Sequence, residues 1–116
     1  MTEFTHWRYH IDKQNICWLS LDVVGSSVNI LRREVMTEWA LVMDEIRKAE
    51  GLSGLCLLSG KERGFVYGAD IAEFDYLKTE AEVRELIELA DTILSGIAAL
   101  SCPTVCGIDG VAVGGG

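Results

Sequence analysis

Apolar and polar residues alternate over residues 5–11. Trp7, Tyr9 and Ile11 fall on one face, and His6, Arg8 and His10 on the other. A period of two is that of a strand covered on one side, which puts both histidines on the solvated face. Residues 16–23 form a second, more continuously apolar strand, reached through the turn-like tetrad Asp12-Lys13-Gln14-Asn15. Gly25-Ser26-Ser27 ends it. The period then changes. Val35, Trp39, Val42 and Ile46 recur at steps of four, three and four, which makes one apolar stripe along a helix. Glu34, Glu38, Glu45, Arg47 and Lys48 lie mostly off that stripe, and Met36 and Met43 flank it as packing residues. Gly51 is placed to stop the helix.

Residues 52–59 are a buried strand that closes in Ser59-Gly60. After a glycine-punctuated loop, Asp70-Ile71-Ala72-Glu73-Phe74 reads as a short helix with Asp70 near its positive end. Thr79-Glu80-Ala81-Glu82 has the form of a capping box. It opens a helix in which Val83, Leu86, Ile87, Ala90, Ile93, Leu94 and Ile97 keep helical spacing. Residues 104–108 follow Pro103 as the next strand. Strand, helix and strand in this order predict a crossover unit, normally right-handed. The predicted fold class is therefore α/β.

At 116 residues the chain is one domain or part of one, and 49% apolar residues are enough for a core. Eighteen acidic against ten basic residues give a net charge of −8. That argues against nucleic acid as a partner, because phosphate backbones need a basic face. A single anionic ligand held by a few local cations remains compatible. No segment reaches the roughly 20 apolar residues needed to span a bilayer. Met1-Thr2-Glu3-Phe4 has neither a basic region nor an apolar signal core. These features lead to the expectation of a cytoplasmic protein without a membrane span. Cys17, Cys56, Cys102 and Cys106 all sit among apolar residues and read as reduced core residues.

The candidate chemistry lies in two glycine-rich loops. Gly64-Phe65-Val66-Tyr67-Gly68-Ala69 follows the strand at 52–59, and Gly110-Val111-Ala112-Val113-Gly114-Gly115-Gly116 follows the strand at 104–108. Gly68 and Gly110 alone would suit ordinary strand-to-helix turns. Three consecutive glycines suit a backbone that must pass very close to a ligand or to another segment. Two such loops can aim two backbone N–H groups at one oxygen, the minimum apparatus for holding an oxyanion. Other glycine chemistries fail. The terminal cluster has no Lys-Ser or Lys-Thr partner for phosphate and lacks the spacing of a dinucleotide fingerprint. There is no nucleophile elbow with a central serine. Cys102-Pro103-Thr104-Val105-Cys106 lacks zinc spacing and a second half-site, so no metal is expected.

Ser59-Gly60-Lys61 with Phe65-Val66-Tyr67-Gly68-Ala69-Asp70-Ile71-Ala72-Glu73-Phe74 resembles the first oxyanion loop of the crotonase (enoyl-CoA hydratase/isomerase) superfamily. Cys102-Pro103-Thr104-Val105 with Asp109-Gly110-Val111-Ala112-Val113-Gly114-Gly115-Gly116 resembles its second. Ser26-Ser27-Val28-Asn29-Ile30-Leu31 resembles the segment before the first helix, in the manner of the hydratase part of multifunctional fatty-acid oxidation α subunits. The resemblance covers almost the whole chain. It implies a crotonase-like spiral of repeated β-β-α units, with residues 1–116 as the incomplete N-terminal half of one such domain.

The resemblance also implies a function. The substrate would be an acyl-CoA thioester. The backbone amides of Ala69 and Gly115 would hold the thioester oxygen. Gly68, Ala69, Asp70, Ile71, Ala72 and Gly115 would line the binding site, with Asp70 and Ile71 near the adenine and pantetheine. CoA enters as part of the substrate, no separate cofactor is implied for this segment, and NAD would belong only to a downstream dehydrogenase domain. A homo-oligomer or a fatty-acid oxidation complex is the implied assembly.

Three departures from the family pattern matter. Ala72 stands where many members carry a lysine near the CoA phosphates, a role for which Lys61 or Arg63 are the substitutes at hand. Tyr67 replaces a small residue, either narrowing the acyl pocket or packing. The glutamates that transfer protons in the hydratases follow the glycine cluster, so Glu73 and Glu82 are not candidates for that role. The expected activity is hydration of 2-enoyl-CoA, absent from the 116 residues alone. The alternatives are isomerase, thioester hydrolase or decarboxylase chemistry on the same oxyanion site, and a non-catalytic acyl-CoA-binding module.

Overall fold

The first hairpin is built by its turn. Asp12 Oδ1 accepts the N–H groups of Gln14 and Ile16 at 2.8 and 3.0 Å, while Oδ2 accepts the Trp18 indole N–H at 2.9 Å. These bonds, the Trp18 bond foremost, hold the Asp12 carboxyl below the usual carboxylate range. Asn15 takes the left-handed backbone (φ 62°) that the reversal needs. The computed structural model, which describes residues 3–69 and 77–116, thereby pairs β1 (Trp7–Ile11) with β2 (Ile16–Leu21) antiparallel, Trp7 opposite Leu21 and Ile11 opposite Cys17.

Helix α1 (Arg33–Arg47) crosses to β3 (Gly54–Ser59), which runs parallel to β2 with Leu21 beside Ser59. Helix α2 (Glu80–Ala98) crosses in turn to β4 (Thr104–Gly107), parallel to β3 with Leu58 beside Gly107. The sheet order is β1-β2-β3-β4, a mixed α/β arrangement as the sequence pattern predicts. The stripe Val35, Trp39, Val42 and Ile46 is buried, and Met36 and Met43 are buried with it. Trp7 stacks on Trp39 with ring centroids 4.7 Å apart. The Trp7 indole donates to the Val35 carbonyl at 2.9 Å, whereas the Trp39 indole N–H has no partner among the described residues.

The capping box forms at α2 with its return bond shifted one residue toward the N-terminus. Thr79 Oγ1 accepts the Glu82 N–H at 3.2 Å, and the Glu82 carboxylate accepts the Lys78 N–H at 2.9 Å. Glu82 is thus committed to the helix start, in agreement with its exclusion as a proton-transfer group.

Three expectations need correction. His6 is not on a solvated face. It is 6% exposed, and its Nδ1 accepts the Val24 N–H at 3.1 Å. The alternation of β1 begins only at Trp7, and the chain before it passes beneath the loop after β2, whose amide needs an acceptor. The cysteines are all free but not all in the core: Cys17 is buried, Cys56 and Cys102 are half-buried, and Cys106 is exposed. β4 is the edge strand, and Val105 on it is 61% exposed. Gly51 is not the residue that caps α1. Lys48 holds that position, and Gly51 (φ 74°) turns the chain three residues later. The short helix expected at 70–74 lies outside the described residues.

Candidate functional site

Beyond the C-terminal ends of β2, β3 and β4, three connecting segments lie side by side. Residues 29–31, 64–69 and 110–116 meet through parallel bridges, Leu31 to Ala69 and Val66 to Ala112. Toward the second glycine loop, Phe65 N–H donates to Val111 O at 2.8 Å, and Val66 O accepts the Val113 N–H at 3.1 Å. Toward the segment before α1, Tyr67 N–H donates to Asn29 O at 2.8 Å, and Gly68 O accepts the Leu31 N–H at 2.7 Å. The first loop is the middle strand of this small parallel ladder.

The glycines are what allow the loops to approach. A Cβ on Gly110 would come within 3.1 Å of the Gly64 Cα, and one on Gly116 would overlap the Val66 carbonyl. Gly68 has φ 93°, and a Cβ there would lie 3.0 Å from Val113 O and 3.3 Å from both Gly114 Cα and Gly115 N. The two loops picked out in the sequence are therefore in contact, Gly68 against the backbone of Gly114 and Gly115.

The geometry orients the two candidate amides. Among the described residues no peptide bond is cis, so carbonyl and N–H point in opposite directions within each peptide plane. The Gly68 carbonyl is held toward Leu31, and the N–H of Ala69, in the same plane, therefore faces away from Leu31. Gly116 N–H closes a turn onto Val113 O at 2.8 Å, with Gly114 at φ 55°. The N–H of Gly115 belongs to the central peptide of that turn, which the turn bond leaves unused. Among the described residues, neither Ala69 N–H nor Gly115 N–H donates to another backbone group. Both residues are exposed, whereas Gly68 is buried.

An apolar cavity of about 100 Å³ reaches the same place, with Leu31, Phe65, Val66, Trp39, Gly115 and Gly116 on its wall. Tyr67 does not line it. Its ring packs against Gly64 instead, where a Cβ would stand 2.8 Å from Tyr67 Cε1. Lys61 is not available as a substitute cation. Its Nζ donates to Val23 O at 2.6 Å and pairs with Asp22 at 2.6 Å, with the side chain only 13% exposed. Arg63 is exposed. Asp70, Ile71 and Ala72 lie outside the described residues. Among the described residues no cluster of His, Cys, Asp and Glu suits a metal ion, and no helix is long and apolar enough to cross a membrane.

One residue of the site had no assigned part in the sequence reading. Asn29 is fully buried. Its side chain contacts the ends of β2 and β3 and the first loop at once. Its signals in the sequence are an asparagine set between Val28 and Ile30 just before the helix and its place in the segment that carries the family resemblance.

No family model matches the chain. Solved structures match closely in shape. An enoyl-CoA hydratase of Bacillus anthracis superimposes with a TM-score of 0.82 at 22% identity, over 96% of this chain and 42% of that one. An enoyl-CoA hydratase of Shewanella pealeana gives 0.83 at 17% identity, over 95% and 41%. The fold is that of the crotonases, the enoyl-CoA hydratases and isomerases. The sequence is similar to fatty acid oxidation complex subunit alpha. The identity is 34% over 104 residues with the Shewanella oneidensis protein, and 37% over 101 residues with that of Shewanella loihica. These alignments take in 90% and 87% of this chain but only 15% and 14% of the relatives, so the chain spans a minor part of their length.

Proposed function

We propose that residues 1–116 form the N-terminal part of a single crotonase-like domain, and that its two loops hold the thioester oxygen of an acyl-CoA. The observation that carries this reading is the contact of the two glycine loops, which sets Gly68, the residue before Ala69, against Gly114 and Gly115, with neither the Ala69 nor the Gly115 amide donating to a backbone group among the described residues. Neither role needs a side chain, which fits an alanine and a glycine at these positions.

The reaction we favour is hydration of a 2-enoyl-CoA in fatty-acid oxidation. Water oxygen bonds to the β carbon and gives up a proton to a base. The double-bond electrons move onto the thioester oxygen, and the α carbon then takes a proton from an acid. The negative charge that builds on that oxygen is what the two amides stabilise. Each donor of this kind supplies about 3 kcal/mol. No residue of this chain is assigned the proton transfers, so the 116 residues by themselves are expected not to hydrate the thioester. CoA arrives with the substrate, and the reaction requires no resident cofactor. Assembly as a homo-oligomer or within a fatty-acid oxidation complex, in the cytoplasm, belongs to the same proposal.

The test is a comparison of crotonyl-CoA and a 3-enoyl-CoA as substrates of the protein as its gene encodes it. Loss of the conjugated enoyl absorbance of crotonyl-CoA is the expected result. Conversion of the 3-enoyl to the 2-enoyl thioester without hydration would transfer the assignment to an isomerase. Failure to bind either thioester would overturn the reading.

A further inference from the structure

The oxygen-binding role proposed for Ala69 depends on something holding the first loop in place, and the structure assigns that task to Asn29. We infer that Asn29 is a positioning residue for the Ala69 amide, an inference that rests on the function proposed above. Its side chain is 0% exposed and every polar atom on it is used. Oδ1 accepts the Val23 N–H at 3.1 Å. Nδ2 donates to Leu21 O at 2.9 Å, Ser59 Oγ at 2.9 Å and Phe65 O at 3.0 Å, so its two N–H groups serve three acceptors. The main chain adds a further contact, with Asn29 O accepting the Tyr67 N–H at 2.8 Å.

The partners explain the choice of residue. Leu21 and Ser59 are the last residues of β2 and β3 and lie opposite one another. Beyond them the ladder stops, and Asn29 occupies the position where it opens. One partner there is an N–H and two are carbonyls. Only a carboxamide both accepts and donates in so small a space. An aspartate would meet the carbonyls of Leu21 and Phe65 with a lone pair, and an alanine would remove the partner of the Val23 N–H and of the Phe65 carbonyl, while Leu21 O keeps the Gly60 N–H and Ser59 Oγ keeps the Lys61 N–H.

The bond to Phe65 is the one that reaches the site. Phe65 is held on two sides, its carbonyl by Asn29 and its N–H by Val111 O on the second loop. Two residues on, Tyr67 N–H returns to Asn29 O, and Gly68 O accepts the Leu31 N–H, which sets the plane that contains the Ala69 N–H. Asn29 thus fixes the first loop relative to the sheet ends and, through Phe65, to the loop that carries Gly115. Losing it removes no donor from the site but lets one donor move relative to the other. A displacement of about 1 Å is enough to cost on the order of 100-fold in rate.

The experiment uses Asn29→Asp in the protein as its gene encodes it, with two readouts. By hydrogen exchange, the Tyr67 amide is expected to exchange at least tenfold faster, while the Leu57 amide within β3 stays within threefold of wild type. With crotonyl-CoA, kcat is expected to fall roughly 100-fold with KM within about threefold. Unchanged exchange at Tyr67 overturns the inference. Faster exchange with unchanged kcat also overturns it, since Asn29 would then serve the scaffold and not the amide. If N29D does not fold, Ser59→Ala removes one acceptor while leaving the carbonyl partners. It should raise Tyr67 exchange severalfold, and no change there is equally contrary. A wild-type protein that does not bind crotonyl-CoA refutes the proposed function, and exchange at Tyr67 still decides whether Asn29 holds the loop.

Discussion

Replacing Gly68 with alanine tests the contact on which the site is built. Two costs apply. A side chain at φ 93° lies outside the comfortable backbone range of L-residues, which costs about 1–3 kcal/mol. The added Cβ would also sit 3.0 Å from Val113 O and 3.3 Å from Gly115 N. These are backbone atoms, and Val113 is fixed from both sides, its N–H on Val66 O and its carbonyl by Gly116 N–H. Forcing such a contact costs about 1–3 kcal/mol more. The expected destabilisation is therefore about 2–6 kcal/mol, a large part of a typical domain stability of about 5–15 kcal/mol. Gly25 supplies the control. It has φ 81°, but among the described residues nothing lies within 4 Å of a Cβ placed there. Gly25→Ala bears the strain alone, at the low end of the same 1–3 kcal/mol range, roughly 1 kcal/mol. Urea denaturation of both variants, with slopes equal to wild type, isolates the difference. Equal losses for Gly68→Ala and Gly25→Ala would show that the two loops do not touch, and the site as described would not exist.

Two further predictions concern the core. Burial pushes the Cys17 thiol from 9.0 up to about 11, with Cys102 nearby adding to the effect. The folded state therefore holds this proton more tightly than the unfolded state. The stabilisation is complete below about pH 9 and is lost as pH rises from 9 to 11, some 2–3 kcal/mol for a thiol removed from water. Urea melts across that range should show the decline in wild type and a flatter profile in Cys17→Ala; parallel profiles would contradict it. The two stacked tryptophans should respond differently to phenylalanine. Trp7→Phe loses the bond to Val35 O, whereas Trp39→Phe removes a buried N–H that has no partner. The Trp39 change should be less costly by about 1–3 kcal/mol, and equal losses in urea melts would show that Trp39 N–H is satisfied after all.

Features set by neighbours in the chain were legible in the sequence. The α1 stripe, the Asp12 turn and the capping box at Thr79 depend on residues within one or two turns of each other. Features set by distant partners were not. His6 looks like a solvated strand residue until the loop after β2 brings Val24 against it. Lys61 looks like a free loop cation until Asp22 is placed beside it by the β2–β3 register. Cys106 looks like a core residue, but its strand lies at the sheet edge. The candidate site falls between these cases. Glycine spacing located both loops, and the family resemblance paired Ala69 with Gly115. The close approach of Gly68 to Gly115 follows from the parallel run of the loops beyond β3 and β4, which no spacing rule encodes. The part played by Asn29 was hidden for the same reason, since its four side-chain partners come from three separate segments.

The proposed site rests on the Ala69 and Gly115 amides binding a thioester oxygen. Amide proton shifts of these two residues measure this most directly, recorded by NMR during titration with crotonyl-CoA and with a CoA thioether that lacks the carbonyl. Both amide protons should move downfield with crotonyl-CoA and stay near their free positions with the thioether. The same shifts with both ligands, or a shift at only one of the two amides, would contradict the account.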